Sequence, residues 1–324
     1  MQTVSGEARW QYRDRVRLST RWQGGRWQFG LIVRRELIAI PACPIHSERV
    51  RKTIQRLAGI LPPGSVFPMA FYIQAGAQVT LVLKTAVLPE LSWVDEQLQR
   101  NLAQIGIEGL WLHLHPAAGR RMFAKNGWHL LWGQARSRDS NGLLYGPMVF
   151  QQVLPLLYNQ ALAEAEDFLA PSSDAVSIDL YCGIGASLAR WTARGARTVG
   201  VELGGEAVEC AQQNAPQALV LRGKCAERIP QLKEWLERYA GTTGQRLLYL
   251  NPPRTGIEPE VLDWIVGHLQ PARMAYLSCS AGTLRRDLDS LSLGGYEVAR
   301  ITPYDFFPQT YHVETLALLQ RAGR

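Results

Sequence analysis

Two side chains in this sequence have the type and setting for covalent catalysis. Cys279 follows the apolar run Ala275-Tyr276-Leu277-Ser278 and precedes Ser280-Ala281-Gly282-Thr283, so a thiol stands where a strand gives way to a helix. Cysteine is among the most buried residue types, and a packing role for Cys279 stands beside a nucleophilic one. Oriented amides at the helix start, with Thr283 and Arg285-Arg286 close in sequence, would lower its pKa. Glu314, in His312-Val313-Glu314, opens the last strand-like run. In a sheet that brings both runs to one side, it is placed to act as a base, with His312 assisting.

Three further segments could hold substrates for such a pair. Asp179-Leu180-Tyr181-Cys182-Gly183-Ile184-Gly185 leads into the small residues Ala186-Ser187. Gly183 and Gly185 let backbone approach a ligand, but Leu188 occupies the place of the third glycine of the dinucleotide fingerprint. Glu202 ends the next strand, where a carboxylate can accept both hydroxyls of a ribose. Together these features favour S-adenosylmethionine over a nicotinamide dinucleotide. In Asn251-Pro252-Pro253-Arg254-Thr255-Gly256, two prolines stiffen an edge suited to a flat base. An aromatic after the prolines would suit methylation of an exocyclic amine; Arg254 suits a phosphate or a base carbonyl instead. A plain turn is the alternative for this segment.

The elements that must position these residues follow from periodicity. Strands are expected at 176–180, 197–202, 217–221, 245–250 and 272–278, each before a helical stretch, which makes a doubly wound parallel sheet. Two late strands, 295–302 and 312–319, have no helix between them. Such a hairpin belongs to the class I, Rossmann-like methyltransferase sheet and is unusual in dinucleotide folds. Before it, residues 1–140 read as a smaller α+β domain, with 141–324 as the catalytic domain. Strands are expected at 9–18, 27–33, 37–40, 71–73, 78–83, 110–114 and 128–132, and helices at 46–61 and 93–106. The 9–18 strand would carry a cationic face containing Arg13, Arg15 and Arg17.

Charge divides along the same line. Residues 1–150 hold 19 Lys and Arg against 9 Asp and Glu, whereas residues 151–324 hold 16 against 19. A basic first half suggests a polyanion-binding module, with a solvated basic surface as the plainer reading. Trp10, Trp22, Trp27, Trp128 and Trp132 sit among arginines and could stack on bases, although tryptophans more often fill cores. Five scattered cysteines contain no Cys-x-x-Cys pair, which signals neither a disulfide framework nor a zinc site. With no leader pattern and no run of membrane-span length, a cytoplasmic protein is expected.

The four segments Asp179 to Gly185, Asn251 to Gly256, Ser278 to Thr283 and Phe307-Pro308-Gln309-Thr310-Tyr311-His312-Val313-Glu314 resemble the ordered motifs of the RNA 5-methyluridine (uracil-C5) methyltransferase family. Residues 145–324 carry the likeness strongly. Trp10-Gln11-Tyr12-Arg13 and Ala42-Cys43-Pro44-Ile45 resemble parts of that family's central RNA-binding domain. The resemblance implies a class I methyltransferase fold, S-adenosylmethionine as cofactor and a uridine in RNA as substrate. It assigns Cys279 as nucleophile and Glu314 as base, with Gln152, Tyr181, Gly183, Gly185, Glu202 and Asn251 on the cofactor. Pro252, Arg254, Thr283, Arg286 and His312 are then expected at the target base, and Arg13 and Arg15 on the RNA. Asn251 stands where most members have Asp; an Asn-Pro-Pro-Arg version occurs in a branch acting on large-subunit ribosomal RNA, which tilts the expected substrate from transfer towards ribosomal RNA. Leu154 and Ser280 replace residues that are usually Asn.

The central-domain pattern starts by residue 9, so no TRAM-like barrel is expected. Only Cys43 matches a ligand of the family's iron–sulfur cluster, and one thiolate cannot hold it, so no metal is expected. A monomer is expected. The implied reaction is addition of the thiolate to C6, methyl transfer to C5, and removal of the C5 proton. The alternatives are an amine-directed nucleic-acid methyltransferase and a catalytically idle RNA-binding homologue.

Overall fold

The structure is a computed structural model that describes residues 2–119, 121–241 and 244–322. The chain forms two compact units. The larger comprises residues up to Glu7, Ser140–Leu144 and the chain from Val149 on; the smaller comprises Ala8–Asp139 and Tyr145–Met148. Among the described residues no helix is long and apolar enough to cross a membrane.

The first strand, β1 (Val4–Ser5), belongs to the larger unit. The smaller unit then builds β2 (Arg15–Gln23), β3 (Arg26–Val33), β4 (Glu36–Ala39), α1 (Glu48–Ala58), β5 (Met69–Ala75), β6 (Gln78–Leu83), α2 (Glu96–Gln104), β7 (Gly109–Leu114) and β8 (Trp128–Gly133). These strands form one sheet in the order β4-β3-β2-β5-β6-β7-β8, antiparallel except for β6 with β7. Each helix starts at a side-chain cap: Ser47 accepts from the Val50 amide, and Asp95 accepts from the Leu98 amide. Val16 and Leu18 point from β2 into a core with Trp27, Phe29, Val50, Ile54, Leu57, Leu98 and Leu102. By strand alternation Arg17 and Arg21 lie on the opposite face and are exposed. The expected strand from residue 9 begins only at Arg15, because Gln11 is left-handed (φ 54°) and the Gln11 and Arg13 amides are drawn to the Pro44 and Ile45 carbonyls. Trp27 is core, whereas Trp10 is exposed.

Short strands β9 (Ser137–Arg138) and β10 (Leu144–Tyr145) precede the larger unit's α3 (Pro155–Leu169). There follow β11 (Val176–Leu180), α4 (Ala186–Ala193), β12 (Arg197–Glu202), α5 (Gly205–Asn214), β13 (Leu219–Arg222), α6 (Cys225–Tyr239), β14 (Arg246–Leu250), α7 (Pro259–Trp264), β15 (Arg273–Ser278), α8 (Ala281–Leu293), β16 (Tyr296–Asp305) and β17 (Glu314–Arg321). Eight strands form one sheet, β1-β16-β17-β15-β14-β11-β12-β13. Strands β11 to β15 are mutually parallel, and β17 runs antiparallel between β15 and β16. The parallel strands are nearly continuous apolar runs, as strands covered on both faces must be. The order in which strands are added across the sheet reverses between β11 and β14, and the crevice at such a switch point lies outside the carboxyl ends of these strands.

One pairing departs from the sequence expectation. Residues 4 and 5, read as part of the first domain, pair in parallel with β16, Val4 opposite Tyr304 and Ser5 opposite Asp305. A two-residue strand is too short to leave a periodic signal.

Candidate active site

Antiparallel pairing of β15 with β17 brings the thiol to the carboxylate. The last rung of that ladder is Ser278 with Thr315, so the next residues outward are Cys279 and Glu314. Glu314 is 3% exposed, and its Oε2 accepts from the Gln152 Nε2 at 2.8 Å. Burial pushes its carboxyl up to about 7, against the opposing pull of the Gln152 amide. Cys279 is half-buried. Burial and then the charge of Glu314 raise its pKa, while Arg254 draws it down.

The cation at the thiol is thus Arg254, and the arginines of α8 serve elsewhere. Arg285 pairs with Asp289 across one turn at 3.8 Å. Arg286 donates to Asp287 Oδ1 at 2.6 Å and to the Thr255 carbonyl at 3.0 Å. Thr283 Oγ1 donates to the Ser280 carbonyl at 3.2 Å. The net effect on the thiol is upward, the reverse of the expectation from its neighbours in sequence. In the proline turn Pro252 is buried, and the exposed edge is Pro253 and Arg254. The His312 ring packs against Phe307 at 6.1 Å and Tyr311 at 4.3 Å between centroids, beside the turn that delivers Glu314.

The loop after β11 is shaped to receive a small polar ligand. Tyr181 (φ 63°), Gly183 (φ 55°) and Gly185 (φ 82°) all take the left-handed conformation. At Gly185 a side chain is doubly excluded, since a Cβ would also lie 3.1 Å from Ala211 Cα. Glu202 ties this loop to the end of β12: its Oε2 accepts from the Gly183 amide at 3.1 Å and its Oε1 from the Gly204 amide at 2.7 Å. A carboxylate offers about four acceptor sites, so capacity remains for ribose hydroxyls. The Tyr181 hydroxyl donates to Glu258 at 3.2 Å. Asn251 donates its amide to the Leu180 carbonyl at 3.3 Å, which joins the proline turn to β11.

Among the described residues, the buried oxygens without a hydrogen-bond partner include two at this site, Gln152 Oε1 and Asp179 Oδ1. Asp179 is fully buried, its Oδ2 accepting from Trp191 Nε1 at 3.2 Å, and burial lifts its carboxyl to about 7. Unpaired buried acceptors are costly and suit a ligand that brings donors, such as the ammonium of an amino acid. Tyr158 on α3 was not singled out from sequence. Its phenol pKa is raised first by burial and then by Asp179, with Glu314 adding and Asn251 opposing. It therefore stands among the loop acid, the proline turn and the base. Nothing distinguishes it in the sequence from an ordinary helical core residue.

In the smaller unit, Arg13 Nε donates to the Arg15 carbonyl at 3.2 Å. The Arg15 guanidinium lies 4.9 Å over the Tyr145 ring, and burial lowers its pKa. Both arginines therefore brace their own unit. The exposed cations of that face are Arg17 and Arg21 on β2 and Arg26 on β3. Among the described residues no group of three His, Cys, Asp or Glu could hold a metal ion.

Comparison with known proteins gives a consistent picture. Residues 150–322 match the family model of tRNA (uracil-5-)-methyltransferase. An uncharacterized RNA methyltransferase of Listeria innocua is 29% identical over 98% of this chain and 73% of its own length. A 23S rRNA (uracil(1939)-C(5))-methyltransferase of Marinomonas posidonica is 35% identical over 55% of this chain and 40% of its own. The crystal structure of Pyrococcus abyssi tRNA (uracil-54, C5)-methyltransferase in complex with S-adenosyl-L-homocysteine shares the fold. It has a TM-score of 0.72 at 20% identity, covering 98% of this chain and 78% of that one.

Proposed function

Because the chain belongs to the tRNA (uracil-5-)-methyltransferase family of S-adenosylmethionine-dependent RNA uracil-C5 methyltransferases, we propose that it methylates C5 of a uridine in ribosomal RNA through a covalent Cys279 adduct. The observation that carries this reading is the meeting of a half-buried thiol and a buried carboxyl of near-neutral pKa on adjacent strands. The Asn251-Pro252-Pro253-Arg254 turn and the likeness to a 23S rRNA methyltransferase favour ribosomal over transfer RNA.

Gln152, Tyr181, Gly183, Gly185, Glu202 and Asn251 would hold S-adenosylmethionine, which supplies an electrophilic methyl group. C5 of uracil is a poor nucleophile until a thiolate adds to C6, which pushes the ring electrons towards C5 and O4. Arg254, exposed on the proline turn, favours the Cys279 thiolate. Once C5 carries the methyl group, Glu314 takes the C5 proton; the electron pair of that bond restores the C5–C6 double bond and the C6–S bond breaks. The target must leave its stack to reach this pair, so a loop uridine is the natural substrate.

5-Fluorouridine RNA tests the mechanism, because its fluorine cannot leave as a proton does. With S-adenosylmethionine present, wild type should form a denaturation-resistant complex and Cys279→Ala none; no complex with wild type, or equal complexes with both, overturns the reading. Mass mapping of 5-methyluridine with and without the gene assigns the RNA. A loss confined to transfer RNA would reject the ribosomal assignment.

A further inference from the structure

Asp287 is a fully buried carboxylate on α8 that the mechanism above does not use. Four donor contacts reach it. Its Oδ2 accepts from the Ile257 amide at 2.9 Å and from the Tyr276 hydroxyl at 2.7 Å. Its Oδ1 accepts from Arg286 Nε at 2.9 Å and Nη2 at 2.6 Å, and that same Nη2 reaches the Thr255 carbonyl at 3.0 Å. The knot thus ties α8 to two segments: β15, through Tyr276 three residues before Cys279, and the proline turn, through both Thr255 and Ile257. Gly256 lies against it with φ 79°, where a Cβ would come within 2.5 Å of both Arg286 Nη2 and Asp287 Oδ2. The Gly256 amide donates to the Pro253 carbonyl at 2.9 Å, closing the turn around Arg254.

Arg254 is exposed, and a long exposed side chain on a loose turn has many conformations. Fixing its backbone from both sides removes much of that freedom. A buried ion with this many donors is hard to replace, because removing any partner leaves the rest uncompensated. We propose that Asp287, acting through Arg286 and the Thr255–Ile257 backbone, is a positioning residue that holds Arg254 against the Cys279 sulfur. Arg286 on this view is a strut and does not contact RNA. The inference rests on Cys279 being the nucleophile, and it adds the device that keeps its thiolate stabilised.

The test is the pH dependence of Cys279 alkylation by iodoacetamide in the full chain, read by peptide mass spectrometry so that the other four cysteines are counted separately. The charged groups facing the sulfur are Arg254 from the turn and Glu314 from β17. Arg254→Gln should move the alkylation midpoint to higher pH, and at a fixed pH below it slow the reaction by about threefold to tenfold. Asp287→Asn and Arg286→Gln should move it the same way, and Arg254→Gln combined with either should move it no further than Arg254→Gln alone. If both variants melt earlier but keep the wild-type midpoint while Arg254→Gln shifts it, the knot is merely structural and the proposal falls. An unmoved midpoint in Arg254→Gln overturns it as well. Should Asp287→Asn fail to fold, Arg286→Gln decides, since that side chain is 54% exposed. Failure of the methylation reading is separate: it would appear as an absent 5-fluorouridine complex in a wild type whose alkylation midpoints behave as described.

Discussion

Glu314 titrates near neutrality because burial disfavours its charge and one amide only partly offsets that. A group that must accept the C5 proton works only when ionised, so activity is present above its pKa and lost as pH falls through it. The rate at which the methylated covalent adduct is released should therefore show an acid limb at about 7, falling tenfold per pH unit below, as measured by decay of the trapped protein–RNA complex. Glu314→Gln should lower turnover by about 10²–10⁴ and accumulate a methylated covalent adduct on ordinary uridine RNA. An acid limb left near 4.5 would show that another group is the base. At this scale the sequence was partly legible. Thiol and carboxylate stand out by type, and Glu202 by its strand end. The roles of their supports do not, because they depend on neighbours distant in sequence. Gln152 turns its amide to Glu314, and Arg254 meets a sulfur 25 residues further along the chain, whereas the arginines next to Cys279 in sequence lean on Asp287 and Asp289.

Four of the five parallel strands of the larger unit were legible to within a residue, since apolar runs of five or six residues between helical stretches have few other solutions, whereas the four-residue β13 starts two residues later than expected. The smaller unit's helices begin and end inside the expected ranges, at caps that chemistry marks: Ser47 and Asp95. Two failures share a cause, which is backbone behaviour that side-chain pattern does not report. Alternation continues through residues 9–13, yet Gln11 bends the chain; and Val4–Ser5 is a strand only because β16 offers an unpaired edge. That edge gives an element-scale prediction. Removing residues 2–6 uncovers the β16 backbone and should lower the melting temperature by about 2–4 °C, for a loss near 1 kcal/mol. An unchanged melt by circular dichroism would show that the pair contributes nothing.

At the scale of the molecule, charge separates by unit: the excess of arginine and lysine is in the first 150 residues. The exposed Arg17, Arg21 and Arg26 occupy the sheet face away from the smaller unit's helical core, available for phosphates. Changing all three to Gln should weaken RNA binding and reduce the slope of log K against log salt by about 2, at roughly 0.7 per single-strand phosphate lost. Titration at several salt concentrations reads this directly, and an unaltered slope would exclude the face. Arg15→Gln, by contrast, should act on the stability of the smaller unit, because that guanidinium is stacked on Tyr145.

The pairing of Val4 with Tyr304 also sets an order of assembly. Nearly the whole chain must be synthesised between the two partners, which at 5–20 residues per second takes roughly 15–60 s. Strand β16 joins the sheet's ladder through β17, so β1 cannot take its place until both of those strands have been made. Glu314 arrives with them. On the proposed mechanism, a growing chain thus carries the thiol before the carboxylate that would release it from an adduct, and no unfinished copy would complete a turnover.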